Sequence, residues 1–361
     1  MTAAVKFSVG YRLPGDFGSM VDVFRDYRND IVECYFAMLG DPSGRAPLGV
    51  RKGELDAGTF HVFWTEIRRI ADLGIRPVLL LNAACYGKEA ISKPFRTYFL
   101  ETVRELRNEM GLTAVTTTSP FVAGEIKERH PEIEIRASVN MRLQSIRSMT
   151  YLADSFDGFY LAKELNRDVP TLRTIRSWAD STGKRIHLLA NSGCLFHCPW
   201  QAFHDSMVAH EAEIIEQENV LQSAPSPCWD FMSKPEHRRL ILRNTWIRPE
   251  DIGYYASLCD TMKLATRAHD NPRLVVEAYT KRSFDGNLLW LFEPSFLPVF
   301  EGMVLDNRRF PKDWFGKTSF CNKKCDNCNY CDEIYATVRT WPRSAPSRES
   351  SNPPTPNGDG P

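Results

Sequence analysis

Eight short runs of apolar, often β-branched residues recur along the chain. They fall at residues 6–11 (KFSVGY), 30–38 (DIVECYFAM), 76–83, 113–118, 134–140, 157–162, 185–191 and 261–266. Several are apolar at nearly every position, the pattern of parallel strands covered on both faces. Between them apolar residues repeat every three or four positions. Phe63, Ile67 and Ile70 share one helical face, with Gly74 as the stop, and Phe99, Val103 and Leu106 repeat the pattern in the next helix. Strand–helix alternation with eight strands predicts an α/β fold, a (β/α)8 TIM-like barrel over residues 1–290. An open doubly wound sheet is the competing arrangement. Residues 192–260 are too long for one connection and predict an insertion after the seventh strand, over the barrel mouth. Residues 291–340 predict a Cys-rich extension, and the Ser- and Pro-rich stretch 343–361 a disordered tail.

Composition narrows the classes. Of 361 residues, 43% are hydrophobic and 25% charged, enough for a sizeable core. The 45 basic and 45 acidic residues cancel, which speaks against a nucleic-acid partner held by bulk charge. The N-terminal residues lack the basic-then-apolar pattern of a signal peptide, and no apolar run is long enough to span a bilayer, so the expected setting is cytoplasmic, with no membrane partner. Ten cysteines in a reducing compartment point to metal ligation rather than disulfides.

The cysteines fall into two sets. CNKKCDNCNYC places Cys321, Cys325, Cys328 and Cys331 within eleven residues, more like ferredoxin-type ligation than the paired knuckles of a zinc site. NSGCLFHCPW places Cys194 and Cys198 just past the seventh strand, the face on which barrel active sites form, and Cys228 lies on the same insertion. The expected cofactor is a [4Fe–4S] cluster, one or two per chain, with zinc as the alternative. The fourth ligand of the mouth site is left open between Cys85 and a tail cysteine. Cys34 and Cys259 read as buried structural thiols.

Strand ends should surround such a site. Asn82, Asn140, Lys263 and Arg267 are the expected substrate-binding residues. His197, Glu164 and Asn191 are the expected catalytic ones, for proton transfer and polar contact. Tyr11 and Arg12 end the first strand and could face the same place. Each of these also has an ordinary structural use, as a strand-end hydrogen bond or an ion pair. No GxSxG, HExxH or convincing Cys–His spacing favours a peptidase.

The run Asn191, Gly193, Cys194, Cys198, with a later Cys228–Trp229, resembles the collagenase-like peptidase family U32. YLAKEL (160–165), ASVN (137–140) and the block 246–267 extend the likeness over most of residues 5–290. That family includes the O2-independent hydroxylases of ubiquinone, transfer RNA and ribosomal RNA. The resemblance implies a barrel holding a [4Fe–4S] cluster through four cysteines, and hydroxylation or a related redox step on a small organic molecule. It also implies an oxygen donor such as prephenate and a partner protein or electron donor. Three features depart from the pattern: Ser-Gly replaces His-Gly, the second cysteine follows the first by only four residues, and the Cys-rich tail is added. A non-catalytic iron–sulfur or zinc accessory protein, an RNA-modifying hydroxylase and a peptidase are the alternatives.

Overall fold

The computed structural model describes residues 4–16, 18–44, 55–215 and 227–341. Eight strands pair in parallel, in chain order: β1 (Phe7–Gly10), β2 (Ile31–Phe36), β3 (Arg76–Leu81), β4 (Ala114–Thr117), β5 (Glu134–Ala137), β6 (Gly158–Tyr160), β7 (Arg185–Leu189) and β8 (Thr261–Leu264). The sheet closes where β1 meets β8, with Phe7 opposite Met262. All eight expected strands are present, and closure excludes the open sheet.

Helices α1 (Met20–Asp26), α2 (Ala57–Asp72), α3 (Lys93–Met110), α4 (Pro120–Arg129), α5 (Ile146–Thr150) and α6 (Val169–Thr182) follow the first six strands in turn. The predicted apolar faces are the buried ones: Phe63, Ile67 and Ile70 on α2, and Phe99, Val103 and Leu106 on α3. Side chains alternate along β3. Leu79 and Leu81 join the layer shared with the helices, whereas Val78 and Leu80 form a separate inner cluster with Tyr35, Ala37 and Ala114.

Toward the strand starts the barrel interior is ionic. Arg136 of β5 makes a two-pronged contact with Glu33 of β2 at 2.8 Å on both prongs, and a second with Glu134 at 2.8 and 2.9 Å. Arg76 caps the same Glu33 at 2.9 Å. Glu33 and Arg136 are essentially inaccessible to solvent, so each charge depends on the other.

After β7 the insertion carries α7 (Gln201–Ala209), α8 (Glu211–Ile215), α9 (Pro227–Ser233) and two 3-10 segments, Arg238–Arg243 and Pro249–Tyr255. Helix α10 (Pro272–Lys281) follows β8 and closes the barrel proper. The C-terminal extension then forms a small antiparallel pair, β9 (Val304–Leu305) with β10 (Arg339–Thr340), enclosing α11 (Trp314–Ser319) and α12 (Tyr330–Val338). It packs on the barrel through an aromatic stack in which buried Trp246 lies against Phe292 (5.2 Å) and Trp314 (6.0 Å). The tail expected to be disordered lies outside the described residues. Among the described residues no helix is long and apolar enough to cross a membrane.

Candidate functional site

A cavity of about 250 Å3 opens at the C-terminal ends of the strands. Its wall carries Cys194 and Cys198 from the loop after β7, and Cys228 from α9. Two distant segments thus bring three thiols together. Burial pushes the Cys228 thiol up to about 11, and the neighbouring thiols of Cys194 and Cys198 push it the same way. The Cys198 thiol is raised too, first by burial, while Lys163 pulls it down. Cys198 and Cys228 are therefore harder to ionise than free thiols, and a bound cation would favour their thiolates.

The loop bearing Cys194 is held rigidly. Asn244 donates to the carbonyl of Gly193 at 2.8 Å, and the Glu293 amide donates to the carbonyl of Asn191 at 2.9 Å. Gly193 is required: a Cβ there would stand 2.2 Å from the Pro294 carbonyl oxygen.

The same cavity is also polar and cationic. Lys163, Lys263 and Arg267 line it, with Asn82, Asn140, Ser192, Gln201, His204, Asp205 and Glu293. Lys263 lies 3.8 Å from the centre of the Tyr35 ring, a cation–π contact. Arg267 donates to Ser43 at 2.7 Å. Asn82 and Asn140 are joined, the Asn140 amide donating to the Asn82 carbonyl at 3.3 Å. Asp205 is paired with Arg142 at 2.8 Å.

Of the residues expected from the sequence, Cys194, Cys198, Cys228, Asn82, Asn140, Lys263 and Arg267 meet in this cavity. Three expected catalytic residues do not. His197 is exposed, its backbone left-handed (φ 50°) and its ring against Phe196. Glu164 faces a neighbouring cavity, while Lys163, one residue earlier, lines both. Asn191 is fully buried and already satisfied: its amide donates to the carbonyls of Ala265 (2.8 Å) and Leu291 (2.9 Å) and accepts from the Ala265 amide (2.7 Å). It ties strand ends together. Tyr11 is likewise committed, to Glu66 at 2.9 Å, and Arg12 to the carbonyl of His269. The sequence places His204 beside the cysteine pair as well as His197, but it is His204 that lines the cavity, and Asp205 went unnoticed. The signal was present as a period: Gln201, His204, Asp205 and Val208 form one face of α7.

Cys85 does not line the cavity. Its sulfur accepts from the Gly87 amide at 3.3 Å and hydrogen-bonds with His210, whose Nδ1 lies 3.3 Å from Glu213. This Cys–His contact joins the end of β3 to the end of α7, so no sequence spacing could reveal it. His210 holds the Cys85 thiol below its ordinary value, and Cys85 raises His210.

The four C-terminal cysteines are elsewhere. Cys321, Cys325 and Cys331 line the neighbouring cavity, of about 40 Å3, with Lys163, Glu164, Arg167 and Lys323, while Cys328 is exposed. Among the described residues no trio of His, Cys, Asp or Glu side chains is closed to the geometry of a bound metal ion. All ten cysteines are free thiols; Cys34 is buried, and Cys259 points at the Tyr255 carbonyl from 3.6 Å.

The fold and this site define a class: a TIM-like barrel with a thiol-lined, cationic mouth. No family model matches the chain. An uncharacterized protease of Methanocaldococcus jannaschii is 24% identical over 342 residues, covering 91% of this chain and 97% of its own. The solved structure of a U32 peptidase superposes with a TM-score of 0.51 at 12% identity, over 73% of this chain and 93% of its own. Over most of its length the chain is thus similar to that protease, and its barrel shares the fold of the U32 peptidase, the fold that the resemblance in the sequence implied.

Proposed function

We propose that this chain is an iron–sulfur enzyme of U32 type. It acts on a small anionic organic molecule by O2-independent hydroxylation or a related redox step. The observation that carries the reading is the convergence of Cys194, Cys198 and Cys228 on one wall of a polar, cationic barrel mouth. The soft thiolate donors suit iron–sulfur chemistry, and a cubane spreads its ligands further apart than a single tetrahedral ion does. When bound, such a cluster would supply electron transfer and Lewis acidity at the barrel mouth.

The chain's own residues would do the rest. Lys263 and Arg267 would hold a carboxylate or phosphate, with Arg267 able to grip it with two donors. Asn82 and Asn140 would orient polar groups. His204 and Asp205, side by side on α7, would hold or move a proton. By the family resemblance, prephenate is the candidate oxygen donor. A cavity of this polarity and depth weighs against a purely accessory role. The test is anaerobic purification with iron, zinc and labile-sulfide analysis of the wild type and Cys194→Ala. Loss of the mouth cluster and of activity in the variant supports the reading; unchanged cluster content sinks it.

A second reading, a thiol peptidase, is favoured by the Cys85–His210–Glu213 alignment and matches the description of the relative as a protease. The Cys85 thiolate would attack the scissile carbonyl carbon, forming an S–C bond as the C–N bond breaks. His210 would give its proton to the departing amine, and water would hydrolyse the thioester. Cys85→Ala separates the two readings. It should abolish peptide cleavage on the second and leave metal content intact on both.

A further inference from the structure

Arg167 is buried, yet all its donors go to neutral acceptors. Nε and Nη2 donate to the Trp246 carbonyl at 3.1 and 3.0 Å, and Nη1 to the Leu242 carbonyl at 2.6 Å. Its guanidinium lies over the rings of Trp246 (4.1 Å) and Trp314 (5.2 Å). No carboxylate forms an ion pair with it among the described residues. Lys323 sits beside it and donates to the carbonyls of Arg167 (2.7 Å) and Thr318, again neutral groups. Its backbone is left-handed (φ 58°), and this turn carries the chain from Cys321 to Cys325. A buried cation and a half-buried one are thus held together, where charge without a counter-ion is disfavoured. The thiols of Cys321, Cys325 and Cys331 line the same cavity, with the Glu164 carboxylate and the Arg243 guanidinium; Asp251 and Asp168 act on the two cations from outside it.

We infer that Cys321, Cys325, Cys328 and Cys331 hold a second iron–sulfur centre, whose negative charge is what Arg167 and Lys323 are placed to balance. Three ligands already share the cavity. Cys328, exposed and three residues from both Cys325 and Cys331, supplies the fourth. The centre is distinct from the barrel mouth. Lys163–Arg167 forms a 3-10 segment between the two sets of thiols, with Lys163 lining both cavities. The donor set is soft thiolate throughout, which admits zinc as well as iron, and an anionic centre is common to both. The tight run of four cysteines and the partly open arrangement favour the larger, polynuclear group.

The test counts metal in the full chain, purified anaerobically from iron-replete cells. A mouth-deleted variant, Cys194→Ser with Cys198→Ser and Cys228→Ser, should retain about four irons and four sulfides, the content of one [4Fe–4S] centre. A tail variant, Cys325→Ser with Cys331→Ser, should lose that amount relative to wild type. Because the tail variant could misfold, Arg167→Leu in the mouth-deleted chain is the second measurement. It should bleach the visible cluster absorbance several-fold faster on exposure to EDTA, with an unchanged circular dichroism spectrum. The inference is overturned if the mouth-deleted chain is folded but carries no metal, or carries zinc without sulfide. It fails also if Arg167→Leu leaves the bleaching rate unchanged. The result is separable from the mouth assignment: failure of that assignment alone leaves wild type and the mouth-deleted chain with equal metal.

Discussion

At the scale of single residues, the charges inside the barrel and the thiols at its mouth illustrate opposite demands. Glu33 and Arg136 are buried and bound to each other through two hydrogen bonds. Arg136 outweighs the cost of burial and holds Glu33 below the ordinary carboxylate range; Glu134, contacted by Arg136 and His187, is lowered as well. Arg136→Met should destabilise the fold by about 3–5 kcal/mol, because it removes the buried partner of two carboxylates and leaves them only the more exposed Arg76 and Arg185. Chemical denaturation would measure this. For Glu33→Gln the penalty has a pH signature. A carboxylate whose folded pKa is depressed contributes stability above its unfolded value, about 4.3, and loses it as pH falls toward the folded value. The stability gap between wild type and Glu33→Gln should therefore be constant near neutrality and shrink below about pH 4.3. A gap that widens there would contradict the assigned sign.

Single residues also mark the limit of reading the chain alone. Asn191 looked catalytic because it ends a strand beside a cysteine, yet its amide is spent on β7–β8 closure. His197 looked catalytic because it lies between two cysteines, yet the left-handed turn there sends it outward. Position in sequence locates a residue near a site; only the local backbone decides where the side chain goes.

At the scale of elements, the strands and the two apolar helix faces were legible because burial imposes a period that the chain must repeat. The polar face of α7 followed the same period but was read as part of an insertion rather than as a helix. The loop 191–199 depends on Gly193, where a Cβ would collide with Pro294 at the backbone. Gly193→Ala should displace the Cys194 loop, lowering metal content at least as much as stability. Metal analysis alongside a thermal melt checks it. Arg267 follows β8 and lines the same cavity as the thiols. Arg267→Ala should weaken prephenate binding about tenfold, by loss of one charge-assisted contact. Titration calorimetry would read that, with exposed Lys234→Ala as the unchanged control.

At the scale of the whole molecule, the extension after α10 is built into the barrel rather than appended to it. Trp246 from the insertion and Trp314 from α11 are both buried, stacked 6.0 Å apart, with Phe292 and Phe310 around them. Truncation at residue 290 would remove Phe292, Phe310 and Trp314 and leave Trp246 uncovered. The expected outcome is an aggregating or molten chain, not a stable barrel, judged by near-ultraviolet circular dichroism and sedimentation. The Cys-rich character of the extension was plain in the sequence. Its seat against Arg167 was not, since no local pattern links residues 167 and 323.

On the proposed function, the clustered thiols hold iron–sulfur centres. The most direct measurement is iron, zinc and acid-labile sulfide content, with the visible spectrum, of the anaerobically purified chain. The account predicts about eight irons with matching sulfide, falling to about four when either set of cysteines is removed. Zinc without sulfide, or no metal in a folded chain, would contradict it.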